Sequence, residues 1–165
     1  MGVSTLSWSN PDRENYFTSR LTYAHQLLIA RKFNDKFSIQ LSPTVVHKNL
    51  VTKKNEDNTS IALGMSLRYK FIKRVAINVE YYKWLTATDR IPMVNSVKPV
   101  DNLSIGFDIE TGGHVFQLHF TNSKPMNEKG FITETTGDWK EGDIQFGFNI
   151  SRIFSVVKPK AKPQE

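Results

Sequence analysis

The 165-residue chain contains no cysteine. That excludes disulfides and cysteine-based metal or redox sites, and leaves the compartment open. No stretch approaches the roughly 18 consecutive apolar residues of a membrane-spanning helix, and mean hydropathy is −0.40. No segment carries a convincing helical period. A phosphate-cradling glycine loop, an HExxH pair and a dinucleotide fingerprint are all missing. Basic residues are not interleaved with aromatics on one exposed face, so nucleic acid is not an expected partner, although the net charge is +6 and the pI is about 9.5. Much of that charge sits in a tail where Lys158, Lys160 and Lys162 alternate with Pro159 and Pro163. Residues 155–165 are therefore expected to be a disordered end, after a structured segment 1–154. Met1-Gly2-Val3-Ser4 lacks the basic and apolar regions of a signal peptide. The same residues match a myristoylation signal only loosely and are discounted as one.

What the chain does contain is strict two-residue alternation. Between Asp101 and Phe154, Leu103, Ile105, Phe107 and Ile109 share one face, and Ser104, Gly106, Asp108 and Glu110 the other. Gly112-Gly113 is a two-residue hairpin signal, after which the apolar set moves to Phe116, Leu118 and Phe120. A two-residue loop demands that switch of parity. It predicts Ile109 facing Phe116, Phe107 facing Leu118, Asp108 facing Gln117 and Gly106 facing His119.

Upstream, residues 3–8 read as the end of a strand and 9–19 as a polar loop. Strands follow over 20–33, 37–48, 61–71 and 75–82, joined by short turns at 34–36 and 72–74 and by a long loop at 49–59. Pro43 lies inside the second of these and predicts a bulge. Further long loops span 85–100 and 123–141, and a last strand carries Ile144, Phe146, Phe148, Ile150 and Phe154 on one face. The total is about seven antiparallel strands of roughly 9–13 residues, against a mode of about 5–6 in soluble sheets.

Short turns alternate with long loops at every connection, as in barrels that cross a bilayer with strands of about 9–11 residues. The polar face is rich in Gly, Ala, Ser, Asn and Gln rather than Lys and Glu, which suits a crowded lumen. Phe33, Phe37, Tyr69, Phe71 and Phe154 fall at the short-turn end, where an aromatic girdle belongs, and Tyr23, Tyr81 and Phe120 fall toward the other. The fold expected is an all-β, antiparallel up-and-down transmembrane barrel. A soluble β-sandwich or ligand-binding barrel is the competing fold. Spanning sheets must close, and bacterial barrels have even strand numbers; seven strands and a stub leave no closure. The chain is therefore expected to be the C-terminal part of a longer barrel, with a signal peptide upstream.

Several stretches carry a resemblance: NPDRENYFTSRLTYAHQLLIARKF, FSIQLSPTVVHKNLV, LRYKFIKRVAINVEYY, SIGFDIETGGHVFQLHFTNS and GFITETTGDWKEGDIQFGFNISRIF. Over about residues 5–154 the chain resembles an uncharacterised β-barrel family of the Bacteroidetes outer membrane, a barrel domain of unknown function. That resemblance implies about five more strands upstream, hence a barrel of about 12. It also implies a Gram-negative outer-membrane location, and it brings no reaction, ligand or cofactor with it.

Three groups of residues are candidates for function. Arg68, Asn78, Glu80, Asp108, Glu110, Gln117, His119 and Asn149 share the inward parity, with Arg68 expected opposite Asn78. They form either the lining of a charge-selective pore or a hydrogen-bonded plug that satisfies the barrel interior. Bulky Leu28, Tyr82 and Trp84 also point inward and favour the plug. His25 and His47 lie on the outward parity, opposite Val45 and Tyr23. A lipid-hydrolysing site would need a serine beside them, but Ser38 and Ser42 point inward, so they read as rim residues near headgroups. Glu134 and Asp138, with Glu141 and Asp143, match no calcium-loop spacing and read as a solvated loop. The expected protein is thus not an enzyme. It is a structural or partner-docking barrel, or a small-solute channel, and a lipid-active enzyme is the alternative. Its expected partners are outer-membrane lipids, lipopolysaccharide and a periplasmic or membrane protein, and no cofactor or metal is expected.

Overall fold

Alternation with a period of two can satisfy its backbone only by pairing sideways, and here each run pairs with the next. A computed structural model describes residues 2–3, 16–51, 53, 55–87 and 90–152. Its strands are β1 (Gly2–Val3), β2 (Leu21–Gln26), β3 (Ile29–Lys32), β4 (Phe37–Lys48), β5 (Thr59–Ile72), β6 (Val75–Trp84), β7 (Asn102–Thr111), β8 (His114–Thr121) and β9 (Gln145–Arg152), with a short helix α1 (Glu128–Thr133) before β9. The order across the sheet is β1-β2-β4-β5-β6-β7-β8-β9, and β3 continues the line of β2 along β4. With β2 and β3 counted as one interrupted strand and the two-residue β1 set apart as an N-terminal stub, this is the seven-strand meander that the alternation predicts. The sheet is all antiparallel and curls into a half-barrel.

Register follows the parity argument. Asp108 pairs with Gln117, Ile109 with Phe116 and Gly106 with His119. Arg68 pairs with Asn78, Tyr23 with His47 and His25 with Val45. The faces follow as well. On β4 and β5, Leu41, Val45, Ile61, Leu63 and Met65 are exposed, while Ser42, Thr44, Val46, Ser60 and Ala62 are buried. On β9 the apolar Phe146, Phe148 and Ile150 are exposed, and so are Asn149, Ser151 and Arg152. The convex face is therefore apolar and open, and the concave face polar, covered on β4 and β5 and open on β9. Soluble domains show the reverse, and a sheet facing lipid shows this arrangement. At the short-turn end the convex face carries contacting rings, Phe33 with Phe37 at 5.7 Å and Tyr69 with Phe71 at 5.4 Å between centroids.

Local details depart from the sequence reading. Pro43 causes no bulge: its pairings with Leu63 and its neighbours stay in register. The Leu27 N–H donates to the Pro43 carbonyl at 3.1 Å, but proline has no N–H to return the bond. The ladder is interrupted at Leu27–Leu28, between β2 and β3, instead of shifting. Leu28 stays 57% exposed in that gap and fills no lumen. The bulge falls between Lys70 and Ile72, where Ile72 pairs with Val75 and leaves a two-residue turn, Lys73–Arg74. An odd loop is commonly accommodated in this way, as a tight turn plus a bulge. β9 begins at Gln145, so Ile144 is outside it, while Phe154, the 155–165 tail and residues 4–15 lie outside the described residues. The largest departure is α1, inside the stretch read as an open loop.

Candidate functional site

The concave face gathers the inward-parity residues into two zones. Toward the short turns, Arg68 on β5 reaches across β6 to β7. Its Nε lies 3.2 Å from Asp108 Oδ2 and its Nη2 3.4 Å from Glu110 Oε1. Lys70 Nζ is 3.3 Å from the same Glu110 oxygen, and Gln117 Nε2 donates to Asp108 Oδ1 at 3.1 Å. Two cations and two carboxylates cancel, and both Asp108 oxygens are occupied. Ser66 donates to Glu80 Oε1 at 3.1 Å, and Glu80 is in no ion pair among the described residues.

Two glycines shape the floor. The transverse row runs Asn78, Gly106, His119, Gly147 across β6 to β9. A Cβ at Gly147 would overlap the His119 ring. The imidazole thus lies over β9 and leaves Gly106 as bare backbone in the middle of the row. Gly64 plays the same part for Tyr82, whose ring a Cβ there would overlap. Lying flat, the Tyr82 phenol accepts from Gln26 Nε2 at 2.9 Å.

Toward the long loops, residues 122–144 fold back over this face. Asn127 Oδ1 caps α1 by accepting from the Gly130 N–H at 2.7 Å. Gly130 has no room for a side chain because Pro125 lies against it. The helix sets Ile132 against Val46, Ala62 and Tyr82 in the one buried apolar cluster of the described residues, with Phe131 packed beside it and its ring 5.2 Å from that of Tyr82. Thr133 and Thr135 are fully buried and bond back to the carbonyls of Lys129 and Phe131. Farther along, Trp139 Nε1 donates to the Leu103 carbonyl at 3.1 Å, and Asn122 Nδ2 donates to that of Gly137 at 2.9 Å.

Glu134 is the anchor of this loop, which corrects its reading as a solvated residue. It lies 3.0 Å from Lys48 on β4 and 3.0 Å from Lys129 on α1. Burial pushes its carboxyl up, but the charges and hydrogen bonds of Lys48 and Lys129 outweigh that and hold it below the ordinary value of 4.5. Asp138, Glu141 and Asp143 are exposed, as a solvated loop requires. Among the described residues no group of three or more His, Asp or Glu is arranged to hold a metal. The signals for this packing were present but short. Phe131 and Ile132 are adjacent apolar residues in a polar stretch, and Asn127 precedes them at capping distance.

A cavity of about 270 Å³ remains between the strands β6–β9 and the folded loop. Of the residues expected to face inward, Asn78, Glu80, Asp108, Gln117, His119 and Asn149 line it; Arg68 and Glu110 stand outside its lining, in the ion-pair network. Pro125, Met126 and Phe131 form its roof. His25 is exposed, and His47 Nδ1 is 2.8 Å from Thr59 Oγ1. Ser42 is buried on the opposite face of the sheet, and among the described residues no serine is hydrogen-bonded to either histidine.

An antiparallel sheet with a lipid-type convex face and a filled polar concave face defines a membrane β-barrel. Among the described residues no helix is long and apolar enough to cross a membrane. The chain belongs to the family described as Membrane bound beta barrel domain (DUF5777), which matches residues 1–154. No curated protein and no solved structure matches it.

Proposed function

We propose that the chain is part of the wall and the internal plug of a non-enzymatic barrel in a Gram-negative outer membrane, serving as a structural or partner-docking barrel rather than an open channel. One observation carries this reading: the 122–144 loop packs α1 onto the concave face through Ile132, Phe131 and the Lys48–Glu134 pair. The neutralised Arg68–Asp108–Glu110–Lys70 network supports it from the other end, because paired charges leave no charged ring there to select passing ions. In this reading the turns at 34–36, 72–74 and 111–113 face the periplasm, and the long loops face outside, toward lipopolysaccharide. Among the described residues the outer strands β1 and β9 each pair on one side only, and hydrocarbon does not tolerate an open edge. In this reading further strands close the sheet, to about 12 in all. Planar-bilayer recording on the full-length barrel tests the proposal. Conductance near the baseline is expected, and a large steady conductance from the unmutated protein would overturn it.

A further inference from the structure

The short-turn rim of the half-barrel carries an excess of cations. Its first turn is held by Asn34, whose Oδ1 accepts from the N–H groups of Lys36 and Phe37 at 2.9 Å. The Lys36 carbonyl accepts from the Lys70 N–H at 2.7 Å, and on the next turn the Arg74 carbonyl accepts from the Glu110 N–H at 2.7 Å. These bonds fix the turns at 33–36 and 73–74 to one rim, two strand spacings or about 10 Å apart. The carboxylates there are already taken, Asp35 by Lys32 and Glu110 by Arg68 and Lys70. Arg31, Lys36, Lys73 and Arg74 are exposed and enter no ion pair among the described residues. The long-loop end is mixed instead: Lys83 pairs with Asp101, Lys48 and Lys129 share Glu134, and Asp138 and Glu141 flank Lys140.

We propose that this rim binds the headgroup phosphates of anionic phospholipids in the leaflet on the short-turn side. The cations are interleaved with apolar surface. The Arg31 guanidinium lies 5.1 Å over the ring of Phe33, a stacking that leaves its N–H edge open to a phosphate. Phe33, Phe71 and Ile72 are exposed beside these turns. The fitting partner therefore presents negative charge directly above hydrocarbon, as a phospholipid does. An acidic protein would meet the lysines and leave the rings uncovered. Lipopolysaccharide also joins phosphates to acyl chains, but it belongs to the long-loop side. A zwitterionic headgroup adds a cation of its own, which this rim repels. The inference rests on the lipid-facing reading of the convex face, and deepens it by assigning the class of lipid and the end of the wall that selects it.

The test is electron spin resonance of the full-length barrel in phosphatidylcholine vesicles with spin-labelled lipids, where lipid held against a protein wall gives a motionally restricted signal. Labelled phosphatidylglycerol should be preferred over labelled phosphatidylcholine by about threefold or more in low salt. The ratio should fall toward one in about 1 M salt, where screening acts within about 3 Å. Combining Lys36→Gln, Lys73→Gln and Arg74→Gln should remove most of the preference while heat-modifiable gel migration stays native, because none of these side chains holds an ion pair among the described residues. Combining Lys98→Gln, Lys124→Gln and Lys140→Gln, in the long loops, should leave it intact. Absence of a restricted signal with either lipid would refute the lipid-facing wall and the proposal with it. A restricted signal with a ratio near one, a preference that survives the short-turn variant, or one that is lost in the long-loop variant would overturn the proposal and leave the wall standing. Binding of soluble polyglutamate without any lipid preference would assign the rim to an acidic protein and overturn it as well.

Discussion

Placing an arginine on either side of one strand position separates a lipid-facing wall from a soluble sheet. Ser66 and Leu67 are neighbours on β5, with Ser66 facing Glu80 and Leu67 on the opposite, convex parity. β5 runs from Thr59 to Ile72. At about 3.3 Å per residue and a tilt near 45°, Leu67 is displaced only about 3–4 Å along the membrane normal from the strand's centre, well within an apolar band about 25 Å tall. Leu67→Arg should therefore cost about 2–4 kcal/mol, the range for a lipid-facing arginine near the midplane. Ser66→Arg forfeits one hydrogen bond, worth about 1 kcal/mol, and brings a guanidinium to Glu80, which has no cation partner. Its net cost should be under about 1 kcal/mol. Guanidinium unfolding in phospholipid vesicles, followed by tryptophan fluorescence, reads the difference as a shift in midpoint at constant slope. Equal destabilisation, or the reverse order, would refute the assignment of the convex face to lipid.

Arg68→Met should destabilise by about 1–3 kcal/mol, because it strips the guanidinium from Asp108, whose side chain is only 9% exposed, and from Glu110; adding Asp108→Asn should recover part of that in the same unfolding assay. Gly147→Ala should cost about 1–3 kcal/mol by overlap with the His119 ring, and His119→Ala in the same chain should relieve most of it, which a double-mutant cycle measures. The docking of the loop should depend on acid. Glu134 is held below its ordinary value of 4.5 by Lys48 and Lys129, so its contribution is complete above that pH and is lost as pH falls through the lower folded value. Amide exchange across 128–135 should rise at acid pH in the native chain, and Glu134→Gln should remove that pH dependence.

Most of the wall was legible because a period of two leaves little choice. Once Gly112-Gly113 is a two-residue turn, the parity of Ile109 and Phe116 determines every pair on β7 and β8. The same reasoning placed Arg68 opposite Asn78 and Tyr23 opposite His47. It failed where a local hydrogen bond decides between equivalent outcomes. Pro43 must lose a bond, but whether the sheet bulges or the neighbouring strand breaks depends on Leu27 and Leu28. The plug was hidden for a different reason. α1 is 6 residues long, too short to show a helical period, and its stability comes from packing rather than propensity. Its anchor joins Lys48 to Glu134, 86 residues apart, and neither charge announces the other. The cavity was half legible. The polar inward set named most of its walls, while its roof depended on the fold of the loop.

The most direct test of the plugged barrel uses the absence of cysteine from these 165 residues, within which an introduced thiol stands alone. Met126 is 67% exposed and Ile132 is 1% exposed, six positions apart in one loop. In intact cells a membrane-impermeant maleimide should label Met126→Cys rapidly and leave Ile132→Cys unreacted until the protein is denatured. Equal labelling at both positions would show a solvated loop with no plug, and labelling of neither until the cells are lysed would place the long loops on the wrong side of the membrane.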